Sequence, residues 1–232
     1  TYVENGGRLL AMLGPPLSAG NEGTSPNAEL SKVFESWGVA LNRDLALDTS
    51  GIGQIFGLGP EVPLVTNYDA HAIVREMREV ATAFPLSRTL EVKTGEKSSA
   101  ERLFSTSENS YATNKLGSNE IRIDTKNDRK GPLALAAAGT YNGEKEGRFV
   151  VVGSSLWAAN SFLRFNGNRD LALNMVNWLT SDEDLISIRP KEPENQQLNI
   201  SGQKLSMLFW LSVVLLPMAV IGSGMVTWWR RR

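Results

Sequence analysis

His71 is the only histidine of this chain, the one side chain whose ordinary pKa suits it to move protons near neutral pH. Cysteine is absent, so thiol nucleophiles, thiolate metal sites and disulfides are excluded together. A serine hydrolase would need a hydroxyl within hydrogen-bond reach of the His71 ring and a third group to orient that ring. Ser154 and Ser155 are the candidates, because they follow the apolar run Phe149–Val152. Their surroundings, Gly153-Ser154-Ser155-Leu156-Trp157, are not G-x-S-x-G and lack the second Gly that allows tight packing. The plainer reading makes Asp69 or Asn67 the cap of a helix whose first turn holds His71.

Other chemistry has less support. Gly51-Ile52-Gly53-Gln54-Ile55-Phe56-Gly57 is one residue too long for the dinucleotide fingerprint, and no Walker lysine is present. Asp182-Glu183-Asp184 reads as a solvated acidic turn after a helix, and no ligand cluster for a metal stands out. No cofactor is expected, and no catalytic residue is assigned. What remains is binding. In open α/β sheets ligands sit beyond the carboxyl ends of the strands, where Gly14, Gly153, Ser154, Ser155 and Asn160 would fall. With His71 they form the candidate ligand-binding set; the competing reading is that Gly and Ser merely make turns there. Trp157 and Phe162 would line the crevice or pack in the core.

These positions depend on the elements that carry them. Arg8–Leu13, stopped by Gly14-Pro15-Pro16, suits a buried parallel strand. Ser25-Pro26 then predicts a helix start. Leu30, Val33, Phe34 and Trp37 follow at i, i+3, i+4, i+7, with Gly38 as the stop. Val39–Leu47, Leu86–Val92, Leu133–Tyr141 and Phe149–Val152 read as strands. Ile73, Val74, Met77, Val80 and Ala81 predict a helix opened by Asp69, and Leu171, Met175, Trp178 and Leu179 another over about 170–179. Residues 94–130 are polar and read as a long excursion from the sheet. The alternation predicts an open, mostly parallel α/β sheet flanked by helices.

Composition fits a globular body: 41% hydrophobic and 21% charged residues exclude a disordered chain. A net charge of −1 gives no field for nucleic acid. The apolar residues concentrate at one end. Leu205–Trp229 holds 25 residues without a charge. As a helix this spans about 37 Å, enough to cross a hydrocarbon core of about 30 Å. Trp210, Trp228 and Trp229 lie near its ends, as interfacial rings do, and Arg230, Arg231 and Arg232 follow. That cluster puts the C-terminus in the cytoplasm and the large domain outside it. The organisation expected is therefore a domain over 1–188, a Pro-rich linker over 189–204, a transmembrane helix over 205–229 and a basic tail over 230–232.

Several segments together resemble one family. They are the helix Asn27–Trp37, Val65-Thr66-Asn67-Tyr68-Asp69-Ala70-His71, Thr82-Ala83-Phe84-Pro85-Leu86-Ser87-Arg88, Gly147–Ser155, and Asn174-Met175-Val176-Asn177-Trp178-Leu179. Their order, with the apolar ending, is similar to the auxiliary component of gliding-motility-type ABC transport systems. The resemblance implies a domain like the class I glutamine amidotransferase fold, held at the inner membrane beside an ABC permease and ATPase. It also implies that this chain is the C-terminal half of a longer protein. The leading expectation is a non-enzymatic, membrane-anchored accessory subunit contacting the permease or a substrate. The alternatives are an unusual hydrolase using Ser155 and His71, or an envelope scaffold.

Overall fold

The computed structural model describes residues 2–19, 22–23, 27–93, 95, 97–116, 123–180, 207 and 209–231. Contacts divide the chain into two units, 1–185 and 186–232. The first contains, in chain order, strands β1 (Arg8–Met12), β2 (Ser18–Ala19), β3 (Glu22–Gly23), β4 (Val39–Leu41), β5 (Leu45–Asp48), β6 (Leu64–Val65) and β7 (Asn67–Tyr68). Then come β8 (Thr82–Ala83), β9 (Leu90–Val92), β10 (Ser98–Ser105), β11 (Ser110–Thr113), β12 (Arg129–Lys130), β13 (Ala134–Asn142) and β14 (Glu146–Val152). Its helices are α1 (Ala28–Ser36), α2 (Ile52–Ile55), α3 (Asn160–Leu163) and α4 (Asn168–Thr180).

The main sheet has the order β1-β14-β13-β10-β7. Only β1 and β14 run parallel; the other three pairings are antiparallel. The expected mostly parallel sheet of glutamine amidotransferase type is therefore corrected to a mixed one. The reason is local. Asn142 pairs with Glu146 across Gly143-Glu144-Lys145, a connection that can only close a hairpin.

Side chains alternate across this sheet and feed a core on each face. Ala136 and Ala138 of β13 and Val150 and Val152 of β14 meet Phe84, Trp157 and the α4 residues Leu171, Met175 and Leu179. Ala137, Phe149 and Val151 turn the other way, onto Phe34 of α1, Trp37 at its C-terminal end, and Val39 and Leu90 of the β4–β9 ladder. The alanines of β13 are small enough to let these rings approach from both sides.

Four sequence expectations change. The predicted helix over 69–81 is a chain of turns, closed by i→i+3 bonds from Val74, Met77 and Val80 to His71, Val74 and Met77. Ile73, Val74 and Met77 are buried as the spacing required, but at three residues per turn rather than 3.6. Val39–Leu47 is two strands, and Leu86–Val92 is a strand only from Leu90. The polar stretch 94–130 is no excursion, since β10 lies inside the main sheet and β11 pairs with β5 and β12. Phe34 of α1 and Trp37, which caps its end, are buried while Leu30 and Val33 stay exposed, and Gly38 stops the helix at φ +87°. A Cβ at Gly38 would lie 2.3 Å from the Lys93 carbonyl, so glycine is required twice over. The Ser25-Pro26 start, the 182–184 acidic turn and the 189–204 linker fall outside the described residues.

In the second unit Trp210–Leu215 winds as a π-helix and passes into α5 (Leu216–Arg230). Pro217, in the first turn of α5, has no N–H to give the preceding turn, which accounts for the wider winding. Trp210–Arg230 is long and apolar enough to cross a membrane, and none of it is buried within the chain. The hydroxyls of Ser212, Ser223 and Thr227 donate to backbone carbonyls three or four residues earlier. Polar groups satisfied in this way suit an apolar solvent.

Candidate functional site

The parallel pair brings the carboxyl ends of β1 and β14 side by side, with the Leu13 N–H donating to the Val152 carbonyl at 2.9 Å. Gly14 and Ser155 meet there, for a Cβ on Gly14 would lie 3.6 Å from Ser155 Oγ and 3.9 Å from the Leu86 carbonyl. The segment 85–88 occupies this space. Ser154 is buried and donates its hydroxyl to the Pro85 carbonyl at 2.6 Å. Gly153 accepts from the Arg88 N–H at 2.8 Å, and a Cβ on it would fall 2.1 Å from the Arg88 carbonyl. Ser154 and Gly153 are thus joints of the fold. Ser155 and Asn160 are exposed, and Trp157 is fully buried against Phe84 at 5.6 Å.

His71 belongs elsewhere. Its Nδ1 accepts the Ile73 N–H at 3.2 Å and its ring stands 5.1 Å from Trp178 of α4. Burial pushes the imidazole below its usual pKa, partly offset by Glu101. No hydrogen bond joins it to Ser155 among the described residues, so the Ser155–His71 pair is not assembled. Asp69 caps no helix. It takes Arg102 in a two-point pair, Nε to Oδ2 at 2.7 Å and Nη2 to Oδ1 at 2.9 Å. No group of three or more His, Cys, Asp or Glu residues fit to hold a metal occurs among the described residues.

Charge gathers instead at a place the sequence reading passed over. β9 crosses the sheet face beside a cavity of about 360 Å³ lined by Lys93, Arg102, Arg129 and Lys130, with Glu91 as its only acidic wall. Arg129 is held by Glu91 through Nη1, and by Asp44 at 3.2 Å and the Thr89 hydroxyl through Nη2. Asp44 is itself fixed by the Thr89 N–H at 2.8 Å and hydroxyl at 2.7 Å. Asp69 raises the Arg102 pKa, first by its hydrogen bonds and then by its charge. These cations lie within the stretches 94–130 and 86–93; the cluster Lys126–Lys130 in the sequence was the available signal, but only the fold brings it to Arg102.

These features define a mixed α/β domain joined in one chain to a helix of membrane-crossing length. Residues 1–180 match the family model described as an ABC-type uncharacterized transport system, and the chain belongs to that auxiliary ABC transport family. Among solved structures, the fold is similar to the "mmIFT52 N-terminal domain". Identity is 18%, TM-score 0.56, and coverage is 80% of this chain and 70% of that one. At such identity the likeness concerns fold alone. No curated protein matches the chain.

Proposed function

We propose that the chain is a membrane-anchored, non-catalytic accessory subunit of an ABC transporter, whose α/β domain binds the permease or the transported substrate. One observation carries the reading. A match to an auxiliary transport family over residues 1–180 shares its chain with Trp210–Arg230, a helix long and apolar enough to cross a membrane. In bilayer the tryptophans at 210, 228 and 229 sit at the interfaces, and Arg230, Arg231 and Arg232 hold the C-terminus in the cytoplasm. The domain then stands outside the cytoplasm, on the inner membrane, beside the permease and its ATPase. Within the family we take the gliding-motility-type component as the nearest description, on the order of its motifs along the chain. A non-catalytic role agrees with the separation of His71 from Ser155 and with the structural use of Ser154.

Two measurements test this. The chain extracted in mild detergent should retain an ABC permease and ATPase on affinity purification. In sealed vesicles of known orientation, protease should reach the domain only from the non-cytoplasmic side. Recovery of the chain in plain buffer without membrane would overturn the anchor, and digestion from the cytoplasmic face would reverse the topology.

A further inference from the structure

We infer that the groove beside β9 is a docking site for an extended, acidic segment of a partner protein, which adds as a strand to the β4–β9 ladder. The backbone supplies the first half of the argument. Among the described residues β9 pairs with β4 alone, and the bonds from Lys93 N–H to Gly38 and from Asn42 N–H to Thr89 fix which residues face β4. In an antiparallel pair the intervening residues turn the other way. Val92 therefore presents its N–H and C=O to the cavity, whose inner wall is the buried Leu90. A second cavity of about 380 Å³ continues past Val92 and Lys93 to Ser98, Ser99 and Ala100 of β10. There β10 also lacks a neighbour on that side among the described residues, because β7 pairs with Phe104 and Ser105 and the chain beyond it reaches only Leu103, through the Asp69 N–H at 2.9 Å. The floor is sheet surface and the wall is an open strand edge, the geometry by which sheets accept an added strand.

Side chains supply the second half. The groove carries four cations, two of which, Lys93 at 3.9 Å and Arg129, pair with Glu91. Asp44 and Asp69 hold Arg129 and Arg102 in place from behind, so those guanidiniums are already ordered. Asp69 uses Nε and Nη2 of Arg102 and leaves Nη1 to donate. Lys130 is exposed and makes no ion pair among the described residues. Alternate residues of an added strand point to the same face, so carboxylates at every second position would meet these cations while apolar residues cover Val92 and Ala134. Charge and open edge thus select one occupant, an extended chain with alternating acidic residues. The inference stands apart from the transport reading, since it names only the chemistry of the segment.

The probe is a short fluorescent peptide alternating Val and Glu, titrated by anisotropy into the full chain in neutral detergent. Saturable binding is expected, falling about tenfold in the double variant Lys93→Glu, Lys130→Glu, whose exposed sites leave the fold intact. A peptide alternating Val and Lys should not bind, and N-methylation of alternate amides should abolish binding, because strand addition needs those N–H groups. Equal binding of the Val–Lys peptide, or indifference to the double variant, would overturn the electrostatic assignment. Equal binding of the N-methylated peptide would overturn strand addition. An oligonucleotide that competes as well as the peptide would overturn the acidic-protein occupant in favour of phosphate.

Discussion

The side-chain amide of Asn168 closes a two-point hydrogen bond on the backbone of Ala83: Oδ1 accepts the Ala83 N–H at 2.8 Å, and Nδ2 donates to the Ala83 carbonyl at 2.9 Å. Ala83 faces Leu64 of β6 in the ladder, and the bond from Phe84 N–H to the Pro63 carbonyl sets the alternation, so Ala83 turns its polar groups away from β6. The amide takes the place of the missing strand, and a further bond to the Trp157 carbonyl at 3.1 Å ties the start of α4 to both neighbours.

Asn168→Ala should therefore destabilise the first unit by about 3 kcal/mol, since it strands a buried donor and acceptor at once. Chemical denaturation of the variant against the parent checks this. A loss within the range of an ordinary surface change would show that the amide is dispensable.

The two crevice glycines should part company. Gly153→Ala forces a Cβ against the Arg88 carbonyl at 2.1 Å, and about 2 kcal/mol or more should be lost. Gly14→Ala meets only ordinary contacts and should stay within about 0.5 kcal/mol of the parent. Thermal melts of both variants test the contrast.

The adjacent serines differ in the same way. Ser154→Ala removes a buried hydroxyl bonded to the Pro85 carbonyl and should cost about 1 kcal/mol. Ser155→Ala should cost almost nothing and leave any esterase background of the purified chain unchanged. A collapse of such activity on Ser155→Ala would restore the hydrolase reading.

Tyr68 sets an alkaline limit. Its hydroxyl lies 3.1 Å and 2.8 Å from the Val65 and Val80 carbonyls and 2.9 Å from Thr82 Oγ1, and burial raises its pKa to about 12, the Thr82 bond opposing. The folded state thus holds the proton more tightly than the unfolded chain, whose phenol titrates near 10. The resulting stability is complete below pH of about 10 and is lost as pH rises towards about 12, a span worth about 2 kcal/mol. Tyr68→Phe should flatten that slope. An unchanged alkaline profile would place its cause in another group.

How much of this was legible beforehand depended on how each element satisfies its backbone. α1 and α4 could be read because a helix completes its own hydrogen bonds and shows its buried face at fixed spacing, as Phe34, Trp37, Leu171 and Met175 do. The turns at 71–80 bury much the same residues with a different period, which apolar spacing alone could not separate from a helix. β10 escaped notice because its first half is largely polar and exposed, and only Leu103, Phe104 and Ser105 are buried in succession. Its place in the sheet follows from pairing with β13, a long-range fact absent from local pattern. The candidate site suffered likewise. Gly14 and Ser155 follow β1 and β14 in the chain, so their meeting could be read from strand order, whereas Arg102, Arg129 and Lys130 come together only through the fold.

The one parallel ladder among the described residues fixes the order of events in folding. Arg8 pairs with Arg148, so about 140 residues must be made before the first strand can find its only neighbour in the sheet. Closing a loop of that size costs roughly 4 kcal/mol of chain entropy, and topology of this kind folds slowly. Until that moment the edge holding Leu9 and Leu10 has no partner, and the sheet cannot close on this side before the β13–β14 hairpin has formed.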